Sequence, residues 1–310
     1  MSNSPVLWVF TSALAVPHWL EMKIPIIFIF VYISIVTCGK TKEKTTEKPS
    51  ERGSTVPLVC EGVHVHGKLH KRHVIMNGIN RPYQLAMYSH GHKIFFSYNV
   101  GDDTEDTFGI GYVKINDTMP TEIKGVKNGF AVAVHEHTAY FGSPHGIYSD
   151  NLTKSDDMKH IVKGFDIWDM FFHENLYFIS YPKQRLHKYH IHHKNVTLQE
   201  HIHEKIYQFV IDGDKDTFIT TRDGLFMITS GTNHRIPYEG PKVFRALEVN
   251  HKGVAHFCAK SAIYIAHKKN HTLIEIARIK NIFGITFDKS DNIIYSNPHE
   301  IVKLLPHDCK

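Results

Sequence analysis

The chain has 310 residues, of which 42% are hydrophobic and 22% are charged, and this is the composition of a globular protein with room for one large or two small domains. The net charge of +5 is small and the basic residues are dispersed, which together with the absence of a nucleic-acid-binding motif argues against a nucleic-acid partner. The 25 histidines are unusual, because their protonation between neutral pH and about pH 5.5 would raise the net charge strongly.

The amino-terminal region, 1–39, has the pattern of a secretory signal peptide. Met22 and a lysine are followed by the uncharged stretch Ile24–Val36 and then by small residues. This apolar core is shorter than the about 20 residues of a transmembrane helix, although a signal anchor is the alternative. Because a signal begins at its methionine, Met22 is the expected true start. We therefore expect a secreted, extracellular protein whose mature chain begins close to Gly39 or Lys40.

Residues 40–55 are charged and nearly free of apolar side chains, so they are expected to form a flexible linker. The folded domain is expected over 56–310. Secretion gives meaning to four Asn-x-Thr sequons, which accept N-glycans in exposed loops of secreted proteins. The acceptor residues are Asn116, Asn151, Asn195 and Asn270.

Six segments of the folded part repeat one pattern, in which an aromatic residue leads an apolar strand, and a polar turn and further short strands follow. The strands alternate or are β-branched and show no helical period. The leading aromatics, at spacings of 47, 38, 39, 37 and 39 residues, are Tyr83, Phe130, Trp168, Tyr207, Phe244 and Phe283. Each unit is a four-stranded sheet that does not bury both faces alone. The repeats therefore predict an all-β, six-bladed β-propeller, with a pair of β-sandwiches as the alternative.

The last repeat ends after three strands and needs a fourth strand from elsewhere. The run "RHVIM", within Val63–Met76, precedes the first repeat and can supply it. We therefore predict that an N-terminal strand closes the ring, which would bring Cys60 close to Cys309. These two cysteines are the expected disulfide, and Cys258, inside an apolar strand, is expected to be a buried free thiol.

Histidine-rich stretches and one acidic run contain residue types that bind metal ions. His64 and His66 share a face of a strand, but their spacing from the preceding cysteine matches no structural zinc pattern. The tracts His187–His193 and His201–His203 are expected to be solvated, with a weak copper or zinc site as the alternative. The run Asp212–Asp216 lacks the glycine and the closing glutamate of a calcium loop, so we predict a turn. No metal and no cofactor is expected.

Catalytic motifs are missing from the sequence, which contains neither a G-x-S-x-G elbow nor a P-loop. Six-bladed propeller hydrolases hold calcium in the central channel with carboxylates and asparagines. The expected channel ends of this chain carry mainly Arg, Tyr, Phe, Asn and Trp, and Asp166 and Asp169 are the only acids nearby. We therefore expect a non-enzyme with no catalytic residues, and keep a calcium-dependent lactonase or esterase as the alternative.

Several stretches of the chain carry a family resemblance. The segments "NGINRPYQLA" and "NGFAVAV", supported by "GIY", "DIWDMFF" and "NIIYSNPHEIVKL", resemble the ommochrome-binding proteins of moth haemolymph, over essentially all of Val56–Lys310. The resemblance implies a secreted haemolymph carrier without catalysis, whose partner is a small molecule, a planar and anionic tryptophan-derived pigment called an ommatin. We expect a monomer with no nucleic-acid or membrane partner.

A pocket for such a pigment needs aromatic faces for stacking and guanidinium groups for the acid groups. Propellers usually bind ligands at the channel mouth formed by the loop before each inner strand and the loop joining strands two and three. Phe130, Phe244 and Phe283 are expected to pack between blades, because a phenyl ring offers a ligand no polar group. The candidate ligand-binding residues, with Trp168 and the three arginines the strongest, are Arg81, Tyr83, Asn128, His145, Trp168, Tyr181, Arg222, Arg245 and His299.

Overall fold

The structure, a computed structural model, describes residues 61–101, 107–117, 119–155 and 157–308. Within these ranges the chain is built from short β-strands, and the only helix is a single 3₁₀ turn at Ser89–Gly91. The signal region, the linker and both cysteines of the expected Cys60–Cys309 disulfide lie outside the described residues.

Four sheets each contain four consecutive antiparallel strands, which is the arrangement of propeller blades. Two strands precede them, β1 at Val63–Val65 and β2 at Lys68–Asn77. Sheet 1 consists of β3 (Tyr83–Tyr88), β4 (Lys93–Asn99), β5 (Phe108–Lys114) and β6 (Thr121–Glu122). Sheet 2 consists of β7 (Ala131–His135), β8 (Thr138–Ser143), β9 (Gly146–Asn151) and β10 (Lys159–Lys163). Sheet 3 consists of β11 (Asp166–His173), β12 (Asn175–Tyr181), β13 (Arg185–His190) and β14 (Asn195–Leu198). Sheet 4 consists of β15 (Gln208–Ile211), β16 (Thr217–Thr221), β17 (Gly224–Ile228) and β18 (Arg235–Tyr238).

The remaining strands form one nine-stranded sheet with two blade-like halves, which we call sheet 5 and sheet 6. Sheet 5 consists of β19 (Phe244–Val249), β20 (Ala255–Ala259), β21 (Ile263–His267) and β22 (Thr272–Ala277). Sheet 6 consists of β23 (Gly284–Phe287), β24 (Ile293–Ser296), β25 (Glu300–Pro306) and β2. Strand β2, which contains the "RHVIM" run, pairs antiparallel with β25, and β1 lies between β2 and β22.

Apolar side chains fill the space between neighbouring sheets. Phe95 and Phe96 are adjacent on β4, so their side chains point to opposite faces of sheet 1. Phe95 packs with Phe141 of sheet 2, and Phe96 belongs to the core that includes Ile294 of sheet 6. Each sheet is therefore buried on both faces by its neighbours, as a repeat protein requires.

The first strand of each sheet lines a central channel. These strands contact one another in chain order, and β23 of sheet 6 also contacts β3 of sheet 1. Every leading aromatic predicted from the repeats lies at the start of such a strand, just before it or, for Trp168, two residues inside it. The inner strands are thus the elements that position side chains at the two mouths of the channel.

Two sequence expectations about single features are confirmed by the structure. Cys258 lies buried in β20 and is free, and its burial raises the pKa of the thiol. The run Asp212–Asp216 forms the tight turn between β15 and β16, closed by a hydrogen bond from the Asp212 backbone N–H to the Asp216 carbonyl oxygen of 3.0 Å.

Candidate functional site

The upper mouth of the channel is the end where the inner strands begin. Because neighbouring strands are antiparallel, the turn between the second and third strands of each sheet lies at this same end. Eight of the nine sequence-predicted ligand-binding residues lie on these loops or in the first residues of the inner strands, and Tyr181 ends the second strand of sheet 3 at the same mouth. The topology thus gathers them at one end of the molecule, and the side-chain contacts separate them into two groups.

Four aromatic side chains from different sheets pack against one another at the upper mouth. We call Tyr83, Phe130, Trp168 and Phe283 the aromatic cluster. The ring centroids of Tyr83 and Phe283 are 5.0 Å apart with nearly parallel planes, those of Phe130 and Trp168 are 5.4 Å apart, and Tyr83 lies 5.6 Å from Phe130. All four side chains are half-buried, so ring surface remains open to a ligand. Phe244, by contrast, packs in the core between sheets 4 and 5, as expected.

Polar groups fix the orientation of the aromatic cluster. The indole Nε1–H of Trp168 donates to the backbone oxygen of Tyr207 at 2.8 Å, and the ring of Tyr181 lies 6.2 Å from the indole. The guanidinium of Arg245 lies 5.2 Å from the centre of the Phe283 ring, a cation–π arrangement. Arg245 is half-buried, and this burial lowers the pKa of its guanidinium. Within the described residues Arg245 forms no ion pair.

β-Bulges place two of these side chains. The pairing of β11 with β12 shifts register at Trp168, and that of β19 with β20 shifts at Arg245. A bulge leaves one residue without a partner in the ladder and changes the direction of its side chain. Strand β3 has a similar irregularity at Gln84 and Leu85. Alternate inner strands therefore carry the same distortion at the same depth.

The other predicted residues lie farther from the aromatic cluster or have structural partners. Arg222 is exposed in the β16–β17 turn and forms an open ion pair with Asp223, with 3.5 Å between its Nε and the carboxylate. The side-chain oxygen of Asn128 accepts the backbone N–H of Phe108 at 2.9 Å. The backbone N–H of Arg81 donates to the Pro298 oxygen at 2.8 Å, and its side chain is half-buried. The last two predicted residues are exposed in turns, His145 in sheet 2 and His299 in sheet 6.

Sequence reasoning missed a polar group deeper in the channel. An enclosed cavity there is lined by the side chains of Gln84, Asp169, Gln208 and Glu248, which come from four different inner strands. Burial raises the pKa of Asp169 to about 7 and that of Glu248 to about 8. Only Asp169 was noted from the sequence. A usable signal was present, because each residue interrupts the apolar inner strand of its repeat.

Sequence reasoning also missed an arginine of the upper mouth. Arg185 begins β13, directly after the turn that carries Tyr181, and its buried Nε has no hydrogen-bond partner in the part of the chain that the structure describes. An unpartnered buried guanidinium N–H is a donor available to an acidic ligand. The repeat alignment gave no hint of this residue, because it follows the turn rather than preceding a strand.

The lower mouth, at the opposite end of the channel, is open. Its cavity encloses about 980 Å³, including solvent at the opening, and is lined by apolar side chains such as Met87, Met170 and Phe172 together with His173 and His251. It shares Val132, Met170, Phe171 and Glu248 with the enclosed cavity, so the two cavities adjoin each other. The channel is therefore covered by aromatic rings at one end and accessible from the other.

The fold and the upper mouth define a propeller-type β-protein whose channel is bordered by aromatic rings and by a guanidinium group that has no counter-ion among the described residues. Solved structures with this fold include a gluconolactonase from Xanthomonas campestris, with a TM-score of 0.61 and 9% identity, covering 81% of this chain and 97% of that one. The WD40 β-propeller domain of Doa1 has a TM-score of 0.53 and 15% identity, covering 79% of this chain and 88% of that one. At these identities the likeness concerns the fold alone.

The sequence has a relative of known name. The ommochrome-binding protein of Manduca sexta is 32% identical over 256 residues, which is 79% of this chain and 91% of the relative. The chain belongs to the ommochrome-binding protein family, and the resemblance seen in the sequence is confirmed. No protein-family profile matches the chain. Among the described residues, no helix is long and apolar enough to cross a membrane.

Proposed function

We propose that this protein is a secreted, non-catalytic carrier of a planar, anionic, tryptophan-derived pigment of the ommochrome class. The name of the Manduca sexta relative supports the ligand class. The aromatic cluster, with Arg245 beside it and no acid partner for Arg245 among the described residues, is the observation that carries the proposal, because flat rings stack on such surfaces and a guanidinium binds an acid group.

We also propose that the six sheets form one six-bladed propeller that the N-terminal strand closes. Three contacts support this arrangement. Strand β23 contacts β3, β2 pairs with β25, and a buried core joins sheet 6 to sheet 1. A closed ring removes the exposed strand edges that the first and last sheets would otherwise carry.

The pigment would lie against the aromatic cluster with its acid groups toward Arg245. Tyr181 and Arg185 border the same mouth and can contribute a ring and a donor. Arg81 and Tyr83 lie at the start of sheet 1. Arg222, Asn128, His145 and His299 are expected to contribute little, because they are exposed or already hydrogen-bonded within the protein.

Ommatin titration tests the proposal directly. Trp168 is the only tryptophan after residue 39, so quenching of intrinsic tryptophan fluorescence in mature protein reports on this residue. A buried charge-assisted contact contributes about 1.5–3 kcal/mol, so Arg245→Ala is expected to weaken binding roughly tenfold to a hundredfold. Arg222→Ala removes the same charge from an exposed turn and is the matched control, with a change below about threefold.

Two results would overturn the proposal. The first is normal calorimetric affinity for ommatin in both Arg245→Ala and Trp168→Phe, which would place any pigment site elsewhere, for instance at the lower mouth. The second is steady turnover of lactones or esters by the purified protein that survives in the Arg245→Ala variant. That outcome would establish the lactonase alternative in place of a carrier.

A further inference from the structure

The enclosed cavity of the channel is a polar site surrounded by apolar strands. Gln84 lies on β3, Asp169 on β11, Gln208 on β15 and Glu248 on β19, so four sheets converge on it. Most other lining residues are apolar, such as Leu85. Polar side chains from four repeats are costly to bury together, unless they share a partner. We call this group the channel cluster.

The two acids of the channel cluster have no basic partner in the part of the chain that the structure describes. In the described residues neither Asp169 nor Glu248 forms an ion pair with lysine, arginine or histidine. Asp169 accepts hydrogen bonds from the Gln84 side chain and from backbone N–H groups of Met170 and Phe209. One carboxylate oxygen of Glu248 accepts its neighbour's backbone N–H, from Val249, at 2.9 Å. The proximity of Asp169 contributes to the raised pKa of Glu248, after the larger effect of burial.

The amide of Gln208 provides a second, independent observation. Its Nε2 donates to the backbone oxygen of Arg245 at 2.6 Å, which assigns the two ends of the amide, because the flipped amide would place two oxygens in contact. The remaining Oε1 atom is buried and has no hydrogen-bond donor among the described residues. An acceptor of this kind loses its hydration without replacement, at a cost of about 1–3 kcal/mol. Gln208 is 8% exposed and lines the enclosed cavity.

We infer that the channel cluster binds a calcium ion, with the carboxylates of Asp169 and Glu248 and the Oε1 atom of Gln208 as ligands and Gln84 positioning Asp169. All three ligands are oxygens, and two carry charge, which is the donor set that a hard divalent cation prefers. Bound water would supply the remaining ligands of calcium, which takes six to eight. The sequence led us to expect no metal, since only one of these residues was recognised.

A cation explains why the buried Asp169, the half-buried Glu248 and the unpartnered acceptor of Gln208 line one cavity. It compensates both carboxylates, and it is the partner that Oε1 of Gln208 otherwise lacks. The run Asp212–Asp216 is a poorer candidate, although its three aspartates also converge, because the ammonium group of Lys268 already binds all of them, at 2.5, 2.8 and 2.6 Å. Of these two clusters of carboxylates, the Asp212–Asp216 turn already contains a cation, the ammonium group of Lys268, and the channel cluster contains none among the described residues.

Calcium binding can be measured on the mature protein after removal of ions with EDTA. We expect one calcium per chain by calorimetry, with an affinity on the order of 10–1,000 μM because only two ligands are charged, and a rise in the unfolding temperature on adding calcium. Glu248→Gln and Asp169→Asn keep the shape of each side chain and are expected to weaken calcium binding at least tenfold and to remove the thermal shift. Asp214→Asn, in the exposed aspartate turn, is the matched control and is expected to bind normally.

A folding defect alone does not reproduce this pattern, because each variant without calcium is expected to be at least as stable as the wild-type protein without calcium. The inference is overturned if the wild-type protein shows no binding at 5–10 mM calcium (about ten times the weakest expected dissociation constant). It is also overturned if Asp214→Asn, and not Glu248→Gln, abolishes binding, which would locate the site in the turn. Pigment titration of the same variants keeps the two proposals separate, since loss of calcium leaves the aromatic cluster in place.

Discussion

The two ends of the channel differ in whether their charged side chains have partners of opposite charge. At the upper mouth Arg245 lies half-buried over an aromatic ring, and no acid in the described part of the chain pairs with it. At the lower end the turns carry acids whose charges are compensated, as in the contact of Lys303 with Asp288 at 2.7 Å. Uncompensated charge is costly to the folded protein but available to a ligand. The upper mouth therefore has the charge arrangement of a binding site, and the lower end has one that stabilises the fold.

The lower end achieves this with one repeated turn. The side chain of Asp212 accepts the backbone N–H groups of Asp214 and Asp216, each at 3.0 Å, and Asp288 accepts those of Ser290 and Asn292 in the same way at 2.9 Å. In sheet 5 Asn250 takes this role toward residues 252 and 254. Aspartate and asparagine are favoured in such turns because their side chains replace a backbone acceptor.

The largest effect is expected at Lys268. Lys268→Met leaves the carboxylates of Asp212 and Asp216, which are 4% and 10% exposed, without a counter-charge. Breaking a buried ion pair from one side costs about 3–5 kcal/mol, and partial exposure of Lys268 lowers this to about 2–3 kcal/mol in the free energy of unfolding. Urea denaturation measures it. Lys215→Met, which breaks an exposed ion pair with Glu174, is the control. Equal losses of stability in both variants would show that burial of the aspartates adds nothing to the strength of their ion pairs with Lys268.

The next effect concerns pH and the channel cluster. Burial raises the pKa of Asp169 to about 7 and of Glu248 to about 8, above the ordinary value of about 4. In that range the folded state binds more protons than the unfolded state, so stability falls as pH rises from about 4 to about 8. We expect a loss on the order of 2 kcal/mol from pH 5 to pH 8 in EDTA, relative to Glu248→Gln.

The wild-type protein is compared with Glu248→Gln because other groups also make stability depend on pH. His256 is buried and the pKa of its imidazole is lowered to about 4, so its contribution to stability falls as pH drops below about 6.5. His173 and His251 line the lower mouth near Glu248. Both proteins contain these groups, so the difference between their stabilities at each pH reports on Glu248. Parallel pH profiles for wild type and Glu248→Gln would show that Glu248 is ionised in the folded state.

A smaller effect is expected at the indole of Trp168. Trp168→Phe removes the hydrogen bond to the Tyr207 oxygen but keeps an aromatic ring on Phe130, so the free energy of unfolding should fall by about 1 kcal/mol. Thermal unfolding of the two proteins measures it. A loss above about 3 kcal/mol would indicate that the upper mouth holds the fold together as the lower turns do.

The smallest change in stability is expected for a substitution of Arg245. Arg245→Met removes a half-buried charge that forms no ion pair with a described residue, so stability is expected to change by less than about 0.5 kcal/mol or to rise. The same substitution is expected to weaken pigment binding. Urea denaturation and pigment titration of one preparation give both values. A clear loss of stability would mean that Arg245 is a structural residue and not a ligand-binding one.

Much of the architecture could be predicted from sequence because it repeats. The spacing of the leading aromatics located every inner strand, and the short last repeat correctly indicated that β2 pairs with β25. The same reasoning recognised the turn at Asp212–Asp216, because turn residues act locally. These features depend on neighbouring residues or on a pattern that occurs six times.

The site was predicted less completely, because β-bulges decide which side chains face the channel. Bulges at Trp168 and Arg245 shift the alternation of β11 and β19, so counting inward and outward positions misplaces Asp169 and Glu248. No sequence signal marks these bulges. Arg222 is a second case, since neither its exposed turn conformation nor its ion pair with Asp223 can be read from residue type alone.

The pairing of β2 with β25 has a consequence for biosynthesis. It joins distant parts of the chain, as in the hydrogen bond between Arg72 and Tyr295, which are 223 positions apart. Contacts between residues this far apart in sequence form slowly, and β25 is translated after all the other strands of the described residues. Sheets 1 to 4 can pack in order during synthesis, while β2 waits with an unpaired edge. A chain truncated before β25 would therefore keep an exposed strand edge on β2, which favours aggregation.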